Sequence, residues 1–228
     1  MGSPDNAIIG FDYKANVAKT AQFYGQFVMD EFNFSQISQL NGWWGNKYAI
    51  QQGFKYINVG GVDNLDLQLE YNMARPFIYT HSGKNGQQLA NYTHYNQELA
   101  HPLGANFRET IGIVKYQPAG LPELNLQLKY INAVHGNDTT GTLYGGDIFQ
   151  TSNGGLATNE FDNWVGQGTA YRTNFIELMA SYQFWHNMYA DFNVSYRSVN
   201  SDIDEEDRNI IWIGVGLRMN VAFKPMHY

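Results

Sequence analysis

The residues best suited to acid–base or metal chemistry near neutral pH are the six histidines, His81, His94, His101, His135, His186 and His227. No two stand at a helical metal spacing and no H-E-x-x-H occurs, so no zinc site is expected. Ser181 and Ser195 with Asp191 and His186 contain the parts of a hydrolytic triad, but the G-x-S-x-G turn that would expose a serine nucleophile is absent. The segment His135 to Asp147, HGNDTTGTLYGGD, is rich in the oxygen ligands that suit calcium. It departs from the D-x-[DN]-x-[DN]-G spacing of a calcium loop, and turn chemistry accounts for its Gly, Asn and Asp residues. There is no cysteine, which removes disulfides and thiolate chemistry. The expectation is a protein without catalytic residues, metal or cofactor.

A different chemistry remains open. Sugars present C–H faces that stack on aromatic rings and hydroxyls that need donors and acceptors, so rings set among Asn, Gln and Asp can bind glycan. Trp43, Trp44, Tyr92, His94, Tyr95, Trp164 and Tyr171 have that setting and are the candidate glycan-binding residues. The competing assignment is that these rings pack loops into a plug or line a membrane interface, where Tyr and Trp are enriched.

The elements that must position them follow a period of two, which sends successive side chains to opposite faces of a sheet. Leu65, Leu67, Leu69, Tyr71 and Met73 alternate with Asp66, Gln68, Glu70 and Asn72. The same rhythm runs through Ile9 to Val17, Phe23 to Met29, Leu124 to Tyr130, Ile176 to Tyr182, Met188 to Arg197 and Ile211 to Phe223. Two further strands are less regular. Asn46 to Asn58 places Gln52 among Tyr48, Ile50, Phe54 and Tyr56, and Phe107 to Gln117 can face either way. About nine strands are predicted in residues 1–228, as a single domain or the C-terminal part of a larger barrel.

Alternation alone suits a soluble sandwich as well as a barrel. The connections separate the two. Short turns at Lys19-Thr20, Val59 to Asn64, Pro118 to Pro122 and Phe184 to Asn187 alternate with long polar links at Asp30 to Gly45, Ala74 to Asn106, His135 to Arg172 and Asn200 to Arg208. That rhythm belongs to outer-membrane barrels, with tight periplasmic turns and long outer loops. Tyr71, Tyr130, Tyr182 and Tyr196 lie late on apolar faces, as an interfacial girdle requires. Charged residues are only 15% of the chain, aromatic residues also 15%, and the net charge is −7, which disfavours a nucleic-acid partner. No apolar run reaches the ~18 residues of a membrane helix, and the start lacks the regions of a signal peptide, so any export signal is expected upstream or removed.

If the last strand ends in the periplasm, Ile9 to Val17 runs inward from outside, and the odd strand count conflicts with the even count of bacterial barrels. The wall is therefore expected to be completed by upstream strands or a partner chain; a closed barrel of about ten strands is the alternative. Mixed charge on the polar face, Lys14, Lys129, Arg197 and Arg218 beside Asp12, Asp66, Glu70, Glu177 and Asp191, is expected to form internal networks rather than an ion-selective constriction.

Three stretches, Tyr24 to Phe32 (YGQFVMDEF), Trp43 to Asn58 (WWGNKYAIQQGFKYIN) and Tyr95 to Arg108 (YNQELAHPLGANFR), resemble the Wzi-like capsule assembly proteins and their gliding-motility-associated relatives in Bacteroidota. The likeness is most specific at His101-Pro102-Leu103-Gly104. It implies an all-β, antiparallel transmembrane barrel of about eighteen strands, of which this chain would form the C-terminal half. It further implies a bacterial outer-membrane location, membrane lipid and extracellular polysaccharide as partners, and a role in assembling or holding surface polysaccharide. An accessory subunit of a gliding or secretion machine is the second expectation, and a diffusion porin the third.

Overall fold

The computed structural model describes residues 7–81, 90–139, 141–150 and 159–220. Their strands are β1 (Ile9–Val17), β2 (Ala21–Glu31), β3 (Lys47–Tyr56), β4 (Leu65–Ala74), β5 (Thr93–His94), β6 (Gln97–Glu98), β7 (Phe107–Tyr116), β8 (Leu124–Asn137), β9 (Thr169–Trp185), β10 (Met188–Ser201) and β11 (Arg208–Met219). One short helix, α1 (Phe34–Gln39), is capped where the Asn33 side chain accepts the Ser35 N–H. β5 and β6 form a separate hairpin; the other nine make a single sheet in the order β1-β2-β3-β4-β7-β8-β9-β10-β11. Every pairing in it is antiparallel, and all join consecutive strands except β4 with β7, which are separated by the β5–β6 hairpin. No helix among the described residues is long and apolar enough to cross a membrane.

The nine strands are those predicted, and the short and long connections alternate as predicted: 18–20, 57–64, 117–123 and 186–187 at one end, 32–46, 75–106, 138–168 and 202–207 at the other. Val221, Phe223 and the terminal Tyr228 lie outside the described residues. The short turns are built by residues that tolerate a left-handed backbone, as at Asn58 (φ 54°), Asn64 (φ 59°) and Asn187 (φ 60°). Asn58 also accepts the Asn64 N–H through its side chain, closing its turn locally.

Register turns nine separate alternations into one surface. A single line of paired residues crosses the whole sheet: Ala15, Phe23, Phe54, Leu69, Gly112, Tyr130, Ile176, Tyr196 and Ile211. The adjacent line on the opposite face runs Lys14, Tyr24, Gly53, Glu70, Ile111, Ile131, Phe175, Arg197 and Ile210. The ambiguity at β7 is settled by its neighbours, since Leu67 opposite Val114 and Leu69 opposite Gly112 place the even residues on the apolar face. Ile111 and Ile113 therefore belong to the other face, and their apolar character is what makes this strand unreadable by alternation alone.

Two glycines let side chains cross a strand. On the apolar face Tyr13 passes over Gly25 to donate a hydrogen bond to Gln52 at 2.6 Å, which satisfies the one amide among the rings of β3. On the other face Tyr24 passes over Gly53 to donate to Glu70 at 2.6 Å. A Cβ on Gly53 would stand 2.0 Å from the Tyr24 ring, so only glycine admits this crossing.

Among the described residues, nothing forms a second layer over the apolar face. Its residues remain open on strand after strand, from Phe11 at 63% and Leu178 at 42% to Val215 at 82%. The buried core lies instead at the long-loop end, where Ile78, Tyr79, Ala105 and Ile148 from two long connections pack on Ala74 and Phe107 at the ends of β4 and β7. β1 and β11 each have one paired neighbour in the sheet.

Candidate functional site

The long connections are tied to the sheet by buried polar groups, because backbone leaving a strand ladder must find other partners or lose stability. Lys47 is fully buried: its ammonium donates to the Thr80 carbonyl at 2.9 Å, pairs with Glu31 at 3.0 Å and sits 5.4 Å from the centre of the Trp44 ring. Arg75 donates to the carbonyls of Asn163 at 3.0 Å and Trp43 at 3.3 Å, joining three connections through one guanidinium. Burial holds the Arg75 pKa below the ordinary value of an arginine. Asn163 donates back to the Gly42 carbonyl at 3.1 Å, and Asn106 bonds Gly136, Gly166 and Gln167 at 2.9, 2.7 and 2.9 Å. Asp30 accepts the Tyr79 N–H at 3.1 Å. Burial, with Asp30 and Tyr92 nearby, pushes the Tyr79 phenol up to about 12. None of Lys47, Arg75, Asn106 or Asn163 stands out in the sequence, because a polar residue at a strand end or in a loop reads as solvated.

The segment His101-Pro102-Leu103-Gly104 is part of this framework. The Gly104 N–H returns to the His101 carbonyl at 2.8 Å with φ +67° at Gly104, and the chain enters β7 through the fully buried Ala105 and Asn106. The His101 ring stacks on Phe107 at 4.3 Å. Its Nδ1 accepts the Leu103 N–H at 3.2 Å, so the ring proton is assigned to Nε2, which donates to Glu109 at 3.2 Å. From Glu109 the network continues through Asn72 at 3.2 Å to Glu70 at 3.1 Å, and so to Tyr24. The three motif stretches thus meet one another across β2, β3, β4 and β7.

The seven candidate glycan-binding residues separate into different environments. Trp43 and Trp44 lie 5.8 Å apart and half-buried, with Trp44 edge-on to Phe77 at 6.1 Å. Tyr171 is half-buried in β9 and its hydroxyl donates to Glu206. The two tryptophans are used in packing and the Tyr171 hydroxyl in a hydrogen bond. Tyr92 is 41% exposed beside Tyr79 at 5.7 Å, and Trp164 is 52% exposed. His94 and Tyr95 touch at 4.2 Å at the tip of the β5–β6 hairpin, where Tyr95 is 89% exposed although its backbone is left-handed at φ 49°. No ring contact joins these groups into one platform among the described residues. Between the polar face of β1–β4 and residues 92–101 lies a cavity of about 420 Å³, whose lining includes Gln26, Gln51, Asn72, Tyr79, Tyr92 and His101.

The other groups with chemical potential have local partners. Ser181 donates to Asp191 at 2.5 Å, but the third member is Arg218, which reaches Asp191 at 3.0 Å; His186 contacts Asn187. The Asp138 carboxylate accepts the N–H groups of Tyr144 and of Asp147, the latter at 3.0 Å, which is turn chemistry. No cluster of three acidic or histidine side chains suited to a metal ion occurs among the described residues.

No family model matches the chain, and no curated protein matches it. Among solved structures, the improved crystal structure of OprD from Pseudomonas aeruginosa overlaps with a TM-score of 0.43 at 14% identity. The match covers 93% of this chain and 53% of that one, so the chain spans about half the length of the structure it matches.

Proposed function

We propose that this chain is a non-catalytic portion of the wall of a bacterial outer-membrane β-barrel, with its long loops turned outward toward surface polysaccharide. The observation that carries the reading is the uncovered apolar face running across all nine strands. Exposed apolar patches on soluble monomers are limited to a few hundred Å². A lipid bilayer is the solvent that such a face fits, and an antiparallel meander closed into a barrel is the form in which strands can satisfy all their backbone groups there. On β8 the outward residues from Leu124 to Val134 extend ~33 Å along the strand, or about 25 Å of depth at the tilt typical of a barrel. Tyr130, Tyr196 and Tyr71 toward the long-loop end, and Tyr56, Tyr116 and Tyr182 toward the turns, flank the aliphatic centre as interfacial girdles do.

The edges β1 and β11 are not paired to each other, which favours a larger barrel of about eighteen strands with this chain as its second half. In that reading the framework at the long-loop end narrows the lumen, and capsule assembly in the manner of the Wzi-like proteins is the role. The same edges favour the second reading, an accessory subunit whose wall a partner chain completes.

The absence of cysteine allows a direct test. Single cysteines at Tyr95 and Trp164, and at Gly60 and Gly120, are labelled on intact cells with a membrane-impermeant maleimide. Labelling of the first pair alone is expected; equal labelling of both pairs would overturn the membrane topology. For the glycan role, replacing Tyr92, Tyr95 and Trp164 by alanine is expected to abolish retention of extracellular polysaccharide by the purified protein. Unchanged retention, or none in the parent, removes that role. A stoichiometric protein that co-purifies would favour the accessory subunit, and conductance in planar bilayers the porin.

A further inference from the structure

Resting on the membrane reading, we infer that the outward face carries a binding site for the phosphate of a lipid headgroup in the leaflet at the long-loop end, formed by Arg108 and Arg172. Among the described strand residues on that face of the nine-stranded sheet, these two are the only charged side chains, and both are cationic. They are also neighbours. Arg108 on β7 pairs with Val134 on β8, and Val134 pairs with Arg172 on β9, so the two arginines stand in one line. Two strand spacings separate their backbones by roughly 10 Å, close enough for two long guanidinium side chains to meet around one phosphate.

Chance placement of solvated arginines accounts poorly for this arrangement. A charge on a lipid-facing strand is costly at mid-bilayer and costs little near the interface. Both residues lie on the long-loop side of Tyr130 and Ile176, where that cost is small and headgroup phosphates are in reach. The next line toward the bilayer centre is neutral but rich in donors: Thr110, Asn132 and Asn174 follow one another across the same three strands. The Asn174 carbonyl oxygen is occupied, accepting from Asn132 and Tyr130 at 2.9 Å each, which leaves its amide N–H groups as donors. Arg172 is ion-paired with Asp202 at 2.7 Å through one nitrogen, on the β10 side, and its guanidinium carries further N–H groups beyond that bond. Guanidinium and phosphate match in geometry as well as charge, so the site selects a phosphorylated headgroup over a neutral one. The three strands are interior to the sheet, so whatever completes the wall beyond β1 or β11 leaves this surface facing lipid.

The test uses protein extracted from membranes in neutral detergent, titrated by native mass spectrometry with phosphatidylglycerol, with a glycosyl diacylglycerol that lacks phosphate, and with inorganic phosphate. Phosphatidylglycerol is expected to bind at least tenfold more tightly than the glycolipid, and R108A/R172A to remove that preference while leaving glycolipid binding unchanged. Inorganic phosphate is expected to compete only weakly, because it lacks the acyl chains. Equal binding of the two lipids, or a preference that survives the double substitution, would overturn the site; full competition by inorganic phosphate would assign it to a free anion instead. If the double variant does not fold, R108K/R172K provides the comparison, since it keeps the charge and loses the planar fork. Its preference is expected to fall severalfold, and an unchanged one counts against the site. Failure of the parent to insert into lipid vesicles refutes the membrane reading, whereas insertion without lipid preference refutes this inference alone.

Discussion

Lys47 shows how much a single side chain organises. A buried ammonium is tolerated only when paired and hydrogen-bonded, and here its partners lie on β2, at Glu31, and in the 75–106 connection, at Thr80. Lys47→Met keeps the length of the side chain and removes the charge. It is expected to cost about 1.5–3 kcal/mol and to expose the 75–106 connection to protease, read as faster cleavage there while the strands stay protected. Asp202 gives a prediction in pH. Arg172 first, and then the Ala170 N–H, hold its carboxyl below the ordinary aspartate value of 3.8. A depressed carboxylate contributes stabilisation that is fully present above 3.8 and is lost as pH falls through the lower folded value. The Ala170 amide, donated to Asp202 at 3.0 Å, should therefore keep its hydrogen-exchange protection from neutral pH down to that value and lose it only in stronger acid. Loss of protection between pH 7 and 5 would contradict this assignment.

Among the elements, the crossing of Tyr24 over Gly53 couples β2, β3 and β4 more specifically than ladder bonds do. Gly53→Ala places a methyl where the ring lies, and is expected to destabilise by about 1–3 kcal/mol. In a Tyr24→Ala background the same change should cost little, so a double-mutant cycle in denaturant isolates the crossing. Additive effects would mean that the ring is not held there. Sequence alternation located β3 and β4 but could not reveal the crossing, since it depends on which residue of β2 stands opposite Gly53. The β5–β6 hairpin was not foreseen either. Its two-residue turn places Tyr95 and Asn96 at φ 49° and 58°, where glycine or asparagine is usual, and the hairpin is too short for any periodicity.

For the molecule as a whole, the decisive property is which solvent covers the apolar face. Leu178→Arg and Phe192→Arg, both in the aliphatic centre of neighbouring strands, are expected to lower stability in vesicles by about 2–4 kcal/mol each. Asn132→Arg, at the level of the girdle, should cost about 0–1 kcal/mol. Equal costs at the three positions, measured as shifts in denaturant midpoint, would indicate an aqueous face. The alternation already contained the nine strands, their short and long connections and the division into apolar and polar faces, because a period of two is a property of the backbone of each strand alone. The fate of the loop aromatics was not contained in it. Whether Trp44 packs on Phe77 depends on how connections more than thirty residues apart in sequence fold over the strand ends, and Tyr95 projects from a hairpin too short to show a period. The same holds for Lys47, Arg75 and Asn106, whose partners include backbone carbonyls with no sequence signature, and for the alignment of Arg108 with Arg172 on either side of Val134, which only register brings into one line. Local periodicity set the elements; the tertiary structure decided which polar groups are buried, which rings are free and which strands bring Arg108 and Arg172 into one line.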